Sequence, residues 1–169
     1  MSEITISKAK REEADKVLHF IKELARYERM RKYVKATVED IEKNIFDDKR
    51  ANVIFVRKDG EPIGFAIYFY SFSTFLARPT LHLEDFFIDD KERGHGIGKD
   101  VLKFLARKAI ERGCLRFEWT CLEWNKPSMR FYENLGAKPL RGWIPFRMDG
   151  KELEEFARLF DVDIIPVVF

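Results

Sequence analysis

The sequence predicts an α/β fold in which a single mixed, mostly antiparallel sheet is flanked by helices. Asp59-Gly60 lies between two apolar runs and is a strong signal for a β-hairpin turn. Amphipathic segments of helical length separate the later apolar runs, which indicates crossover connections. The predicted order is β-α-α-β-β-β-α-β-α-β, and hairpins followed by crossovers argue against a doubly wound parallel sheet. With 169 residues, the chain is expected to form one domain over residues 1–169.

Hydrophobic periodicity and turn residues place the elements. The first half is predicted to contain a strand at 4–8, a helix at 12–27, a helix capped by Thr37, strands at 52–57 and 63–72, a loop at 71–79 and a strand at 81–88. The second half is predicted to contain a helix ending at Glu111, a strand at 115–122, a helix at 128–135, a strand and turn at 147–150 and a helix at 152–160. The apolar tail at 161–169 contains Pro166, which limits it to an edge strand or an arm across a dimer.

Composition and charge narrow the function classes. Hydrophobic residues make up 46% of the chain, as in globular proteins, and the net charge is +2. The basic residues are scattered, so no nucleic-acid partner is predicted. Without an apolar signal region or an 18-residue apolar run, we expect a cytoplasmic protein with no membrane partner. Cys114 and Cys121 fall at opposite ends of one predicted strand without a histidine at metal spacing, so we expect reduced thiols and no metal site.

A glycine-rich turn follows the strand at 81–88. Gly94, Gly96 and Gly98 lie behind Arg93 and directly before a helix, and backbone N–H groups at such a helix start bind phosphate. A dinucleotide fingerprint would need a third glycine at position 99 or 101, and a P-loop would need Ser or Thr at position 100. Neither pattern is met, and the alternative is a glycine-rich turn without a ligand.

Two carboxylates, Glu84 and Asp85, lie inside an otherwise apolar strand. Burying them costs free energy unless they are paired or functional, and partial burial would raise a carboxylate pKa towards that of a useful general base. Glu84 shares a strand face with His82 and is the stronger candidate, whereas an ion pair with Lys or Arg is the alternative. The following run, residues 86–88, indicates either a β-bulge or a strand buried on both faces.

Two motifs carry a family resemblance. Arg93-x-x-Gly96-x-Gly98 resembles the pyrophosphate loop of the GNAT superfamily of acetyl-CoA-dependent N-acetyltransferases, and Trp124-Asn125-x-Pro127-Ser128-x-x-Phe131-Tyr132 resembles the motif that ends in its acid tyrosine. Together with the segments at 22–28, 83–87 and 142–143, they make residues 4–156 similar to the spermidine/spermine and thialysine acetyltransferase branch.

The resemblance implies a GNAT-like fold, acetyl-CoA as cosubstrate, direct transfer to a small amine in a ternary complex, and a homodimer. Tyr132 would be the general acid and Glu84 the base, acting through water, and the resemblance favours the bulge at 86–88. The residues implied in acetyl-CoA binding are Phe86, Phe87, Ile88, Arg93, Gly94, His95, Gly96, Ile97, Gly98, Lys99, Asn125, Pro127 and Ser128. Those implied in amine binding are Tyr27, Glu28, Glu84, Thr74 and Arg141.

The sequence departs from the polyamine enzymes in the charge of the expected groove. Residues 29–32 are basic where that branch is acidic, and Thr74 and Arg141 stand where acids are expected. Each misplaced charge is worth about 1 kcal/mol near a surface, so we expect an acceptor with its own carboxylate, such as a lysine-like amino acid, to gain from Arg31 or Arg141. The alternatives are a protein or peptide amine and a non-catalytic acyl-CoA-binding module, against which Glu84 and Tyr132 argue.

Overall fold

A computed structural model describes residues 2–160, 165 and 167–168. The chain divides into two compact units, Met1–Met129 and Arg130–Phe169. Each unit is described by itself, and the single domain expected over residues 1–169 stays a prediction.

The first unit contains a five-stranded sheet. Its strands are β1 (Ile4–Lys8), β2 (Asn52–Lys58), β3 (Glu61–Ser73), β4 (Arg78–Ile88) and β5 (Arg116–Trp119). They lie side by side in chain order, antiparallel except for the parallel pair β4 and β5. This arrangement confirms the predicted mixed, mostly antiparallel sheet.

Helices occupy the connections that the sequence assigns to them. They are α1 (Ala14–Tyr27), α2 (Val38–Ile41), which continues as a wider π turn (Glu42–Asp47), α3 (Ile97–Glu111), α4 (Lys126–Asn134) and α5 (Gly150–Arg158). The cap predicted at Thr37 is confirmed, because Asp40 N donates to Thr37 Oγ1 at 3.1 Å and Thr37 N donates to the Asp40 carboxylate at 3.0 Å.

Three predicted boundaries are wrong. The loop expected at 71–79 is only a four-residue turn, because β3 and β4 keep pairing out to Ser73 and Arg78. The strand expected at 115–122 ends at Trp119, since its ladder with β4 ends there. Residues 147–149 form no strand but lead into α5. The tail expected as an edge strand or arm lies mostly outside the described residues.

The main core lies between the sheet and α1. The ring of Phe20 lies 5.9 Å from Phe55 and 5.5 Å from Phe65, centroid to centroid, and both strand residues are fully buried. Phe87 of β4 joins this cluster at 6.3 Å from Phe20. This packing holds the C-terminal half of β4 against α1, and the polar residues of β4 are positioned by it.

Candidate active site

The register between β3 and β4 contains one irregularity, at Glu84. Ile67 pairs with Asp85 and the next residue of β3, Tyr68, pairs with Leu83, so Glu84 is the extra residue of a β-bulge. The bulge expected at Phe86–Ile88 is therefore wrong in position: these three residues pair regularly with β3 and are half-buried or buried. The run is apolar because both faces of this strand segment are covered.

The bulge changes which side chains share a face. Asp85 is opposite Ile67 and His82 is opposite Phe69, so both point to the face covered by α1. In a regular strand, residues three positions apart would point to opposite faces. Glu84 joins them, since its carboxylate Oε2 lies 3.5 Å from His82 Nε2. The extra residue in the strand thus brings the imidazole of His82 and the carboxylates of Glu84 and Asp85 to the same face of the sheet.

Three carboxylates, Glu28, Glu84 and Asp85, form what we call the carboxylate cluster. Burial, and then the charges of Glu84 and Glu28, raise the pKa of Asp85 to about 6. Burial also raises the pKa of Glu28, the residue that follows α1. The Glu84 side chain, by contrast, is 58% exposed. The partly buried carboxylate that the sequence favours at Glu84 is therefore found at Asp85. The cluster as a whole attracts a cation such as an ammonium group.

Beside the cluster, β4 has an open backbone edge. The ladder between β4 and β5 ends at the pair Leu83 and Trp119, while β4 continues to Ile88. Among the described strands, none pairs with residues 84–88 on that side. Alternate amides of an antiparallel strand point away from its partner, so this edge offers hydrogen bonds to an extended ligand.

The glycine turn lies at the end of the same strand. Gly94 and Gly96 have φ values of +83° and +81°, and no other atom lies within 4 Å of where a Cβ would be. Gly96 precedes α3 without a side-chain cap, and the first helical bond is Asp100 N to Gly96 O at 3.2 Å. The N–H groups of Ile97–Lys99 therefore have no acceptor within the helix. Such a start fits the pyrophosphate group that the family resemblance implies.

Arg93, expected at the phosphate, is engaged with the strand end. Its Nε donates to the Ile88 carbonyl at 2.8 Å, and its Nη1 lies 2.8 Å from Asp90 Oδ1. Its guanidinium carbon lies 5.0 Å from the ring centroids of both Tyr27 and Phe87. These contacts give Arg93 a positioning role between β4 and α1. His95 is exposed, with Nδ1 3.4 Å from the Glu92 carbonyl.

Asn125 links the end of α1 to the start of α4. It is 7% exposed, and its Oδ1 accepts hydrogen bonds from Ser128 N at 3.3 Å and from the Tyr27 hydroxyl at 3.4 Å. The Ser128 bond caps α4, whose second residue is Pro127.

Arg29 stacks on Trp124 at 5.4 Å. The sequence did not single out Arg29 among the basic residues at 29–32. Only its contact with Trp124 shows that it lies near the site.

Three predicted residues remain, Thr74, Tyr132 and Arg141. Thr74 is in the turn between β3 and β4, and about 20 Å of extended chain separates the start of β4 from Glu84. The chain therefore does not bring Thr74 to the carboxylate cluster. Tyr132 and Arg141 belong to the second unit; the Tyr132 ring lies 5.4 Å from Phe131 within α4, and Arg141 is exposed.

Replacing Gly96 with Ala tests the glycine turn. An L-residue at this φ costs about 1 kcal/mol, so the turn should relax and misplace the free N–H groups of α3. Because the family resemblance implies that this turn binds acetyl-CoA, we expect the KM for acetyl-CoA to rise about fivefold or more, as this energy predicts. Steady-state thiol-release assays measure it. Gly60→Ala is the matched control, because Gly60 has a φ of +88° and equally open surroundings in the β2–β3 turn. An equal KM change in both variants would contradict the assignment.

The described residues contain no group of three or more His, Cys, Asp or Glu side chains able to hold a metal ion. None of their helices has the length and apolar character needed to span a membrane.

Comparisons with known proteins agree on one family. The model of the acetyltransferase (GNAT) family matches residues 15–137. A thialysine N-epsilon-acetyltransferase of Sus scrofa is 32% identical over 93% of this chain and 99% of its own length. The human spermidine/spermine N(1)-acetyltransferase-like protein 1 is 30% identical over 93% of this chain but 24% of its own length. The solved structure of an integron cassette protein of V. cholerae is 28% identical, with a TM-score of 0.77 over 92% of this chain and 98% of that one.

Proposed function

We propose, from the premise that this chain belongs to the acetyltransferase (GNAT) family and is an N-acetyltransferase, that its acceptor is a lysine-like amino acid or a related small amine. The donor of this family is acetyl-CoA. The observation that carries the proposal is the carboxylate cluster of Glu28, Glu84 and Asp85 beside the open edge of β4. It offers negative charge to an ammonium group at the place where an extended ligand meets the strand.

The donor would be held by backbone groups. The free N–H groups of Ile97–Lys99 suit its pyrophosphate, and the open edge of β4 at residues 86–88 suits the amides of its arm. Asn125 and Ser128 would border the arm from α4. The bound thioester supplies an activated acetyl carbonyl, and the residues around it orient the acceptor.

The transfer needs three proton movements. The acceptor ammonium would lose a first proton to Glu84 through water, and the amine nitrogen would then bond to the acetyl carbon while the carbon–sulfur bond breaks. Tyr132 would donate its hydroxyl proton to the departing thiolate, and the second proton that the nitrogen loses would restore the Tyr132 hydroxyl. Asp85 would hold the second charge of the acceptor or share its ammonium, which is consistent with its half-buried position next to Glu28.

A basic residue near the acidic site distinguishes the possible acceptors. Arg29 lies over Trp124, next to Tyr27, and so offers a cation to a substrate carboxylate. We expect thialysine or lysine to have a kcat/KM at least tenfold above that of spermidine in a thiol-release assay with a panel of amines. A preference for spermidine would contradict the proposed acceptor. Turnover of a peptide amine alone would identify a protein substrate, and binding of acetyl-CoA without any turnover would indicate a binding module.

We also propose a homodimer. In the second unit, apolar side chains at 143–146 are largely exposed, with Trp143 at 81% and Phe146 at 95%; a stable interface would cover such a patch. Light scattering after size exclusion should therefore give about twice the chain mass of 20.1 kDa. A monomer at micromolar concentration would contradict this proposal. The cytoplasmic location and the absence of nucleic-acid and membrane partners stay predictions of the sequence.

A further inference from the structure

A groove lies in the first unit, on the opposite face of the sheet from α1. It consists of two adjoining cavities of about 420 and 300 Å³ that share Asn52 and Lys108. Lys8, Ile54 and Ala66 are paired across β1, β2 and β3 and so define this face. The carboxylate cluster belongs to the α1 face, so the groove is separate from the proposed acetyl-transfer site.

One end of the groove is cationic. Lys49, Lys108 and Arg112 line the larger cavity together with Glu111, which leaves a net charge of +2. Lys108 is paired with Glu111 at 3.3 Å. Among the described residues, Lys49 and Arg112 form no ion pair, and the guanidinium of Arg112 lies over the Tyr70 ring at 5.4 Å.

These cations come from separate elements. Lys108 and Arg112 lie at the C-terminal end of α3, where the helix dipole favours positive charge. Lys49 follows the π turn at Glu42–Asp47 with a φ of +54°, a left-handed conformation that ends the helical segment and directs the chain to the cavity. The dipole of α3 therefore does not account for Lys49, and the two elements converge on one space.

The other end of the groove combines an apolar wall with a polar rim. Ile6, Ile54, Tyr68 and Phe104 form the wall of the smaller cavity, which Ser7, Lys8, Asn52 and Lys108 also line. Tyr68 and Tyr70 pack edge to face at 6.1 Å and continue this surface into the cationic end. The groove thus offers unpaired positive charge at one end and, at the other, an aromatic and aliphatic wall beside the side chain of Lys8.

We propose that this groove binds a phosphate ester with an apolar body, the phosphate between Lys49 and Arg112 and the body against Phe104 and Tyr68. A phosphate dianion matches the net charge of the larger cavity and accepts the several N–H donors that Lys and Arg present. The apolar body gains from burial in the smaller cavity.

The test is calorimetric titration of the full chain with phenyl phosphate in the presence of saturating CoA, which occupies the glycine turn. We expect saturable binding that the double variant K49Q/R112Q weakens at least tenfold. Lys103→Gln removes one exposed positive charge from the same helix as Arg112, outside the groove, and serves as the control. It should change the affinity less than twofold. Inorganic phosphate should bind at least fivefold more weakly than phenyl phosphate.

Four outcomes would overturn the proposal. The first two are the absence of saturable phenyl phosphate binding and an equal loss of affinity in the double variant and in Lys103→Gln. The other two are an equal affinity for inorganic phosphate and phenyl phosphate, and phenyl phosphate binding that CoA abolishes, which would place the probe at the glycine turn. The single variant Lys49→Gln is the control for folding, because Lys49 has no ion pair among the described residues. The unfolding midpoint of this variant should match that of the parent chain. The amine panel measures a different site, so either proposal can fail without the other.

Discussion

Replacing Tyr132 with Phe is expected to lower kcat at least 100-fold while the KM for acetyl-CoA changes less than threefold. The variant keeps the ring and removes the hydroxyl that would protonate the departing thiolate, an interaction made only in the transition state. A positioned general acid contributes about 10²–10⁴ in rate. Steady-state thiol release with the preferred amine, and with acetyl-CoA varied, measures both constants.

Tyr33→Phe is the matched control for this prediction. Tyr33 is 66% exposed in the turn after α1 and contacts Lys32 through its ring face, so loss of its hydroxyl should leave kcat within twofold of the parent value. A loss in Tyr132→Phe of less than tenfold, or a rise in KM that accounts for it, would remove Tyr132 from the role of acid. Glu84→Gln, measured beside it, should lower kcat by a smaller factor, because water relays the proton to this exposed carboxylate.

Replacing Asp85 with Asn is expected to reduce kcat/KM for the amine about 100-fold. Holding an ammonium group requires the ionised carboxylate, and the pKa of Asp85 is raised to about 6. In the parent enzyme, kcat/KM for the amine should therefore rise with pH through about 6, and this acidic limb should be absent from the variant. Profiles measured from pH 5 to 8 check both statements. An unchanged limb in Asp85→Asn would assign the titration to another group.

The same substitution should stabilise the fold at neutral pH. Because the folded-state pKa of Asp85 is raised, its ionisation destabilises the native state at pH values above about 6, and this cost disappears as the pH falls towards 4. A shift of this size corresponds to about 1–3 kcal/mol. We expect Asp85→Asn to be more stable than the parent chain by about that amount at pH 7.5 and nearly equal at pH 4 in urea titrations. Equal stabilities at both pH values would contradict the assigned burial.

Local rules were sufficient for much of the fold. Thr37 caps α2 because its side chain and Asp40 meet through a spacing of three residues. The turn at Gly94–Gly96 depends on the positive φ values of these glycines. The spacing of the glycines after Arg93 was therefore sufficient to locate it in the sequence. The amphipathic period of α1 and the Asp59-Gly60 turn likewise depend on neighbours within a few positions. These features determine the element order and the antiparallel hairpins, and with them the family resemblance.

Only the tertiary structure decided where the bulge lies and which carboxylate is partly buried. The register of β4 against β3 depends on the packing of Phe87 under α1, and it leaves Glu84 rather than residues 86–88 as the extra residue. The pKa of Asp85 depends in part on Glu28, which is far away in the chain but close in space. Arg93 likewise meets Tyr27 and the Ile88 carbonyl through folding alone. Side-chain patterns report preferences for local conformation, whereas burial, register and charge neighbours exist only once distant segments are packed together.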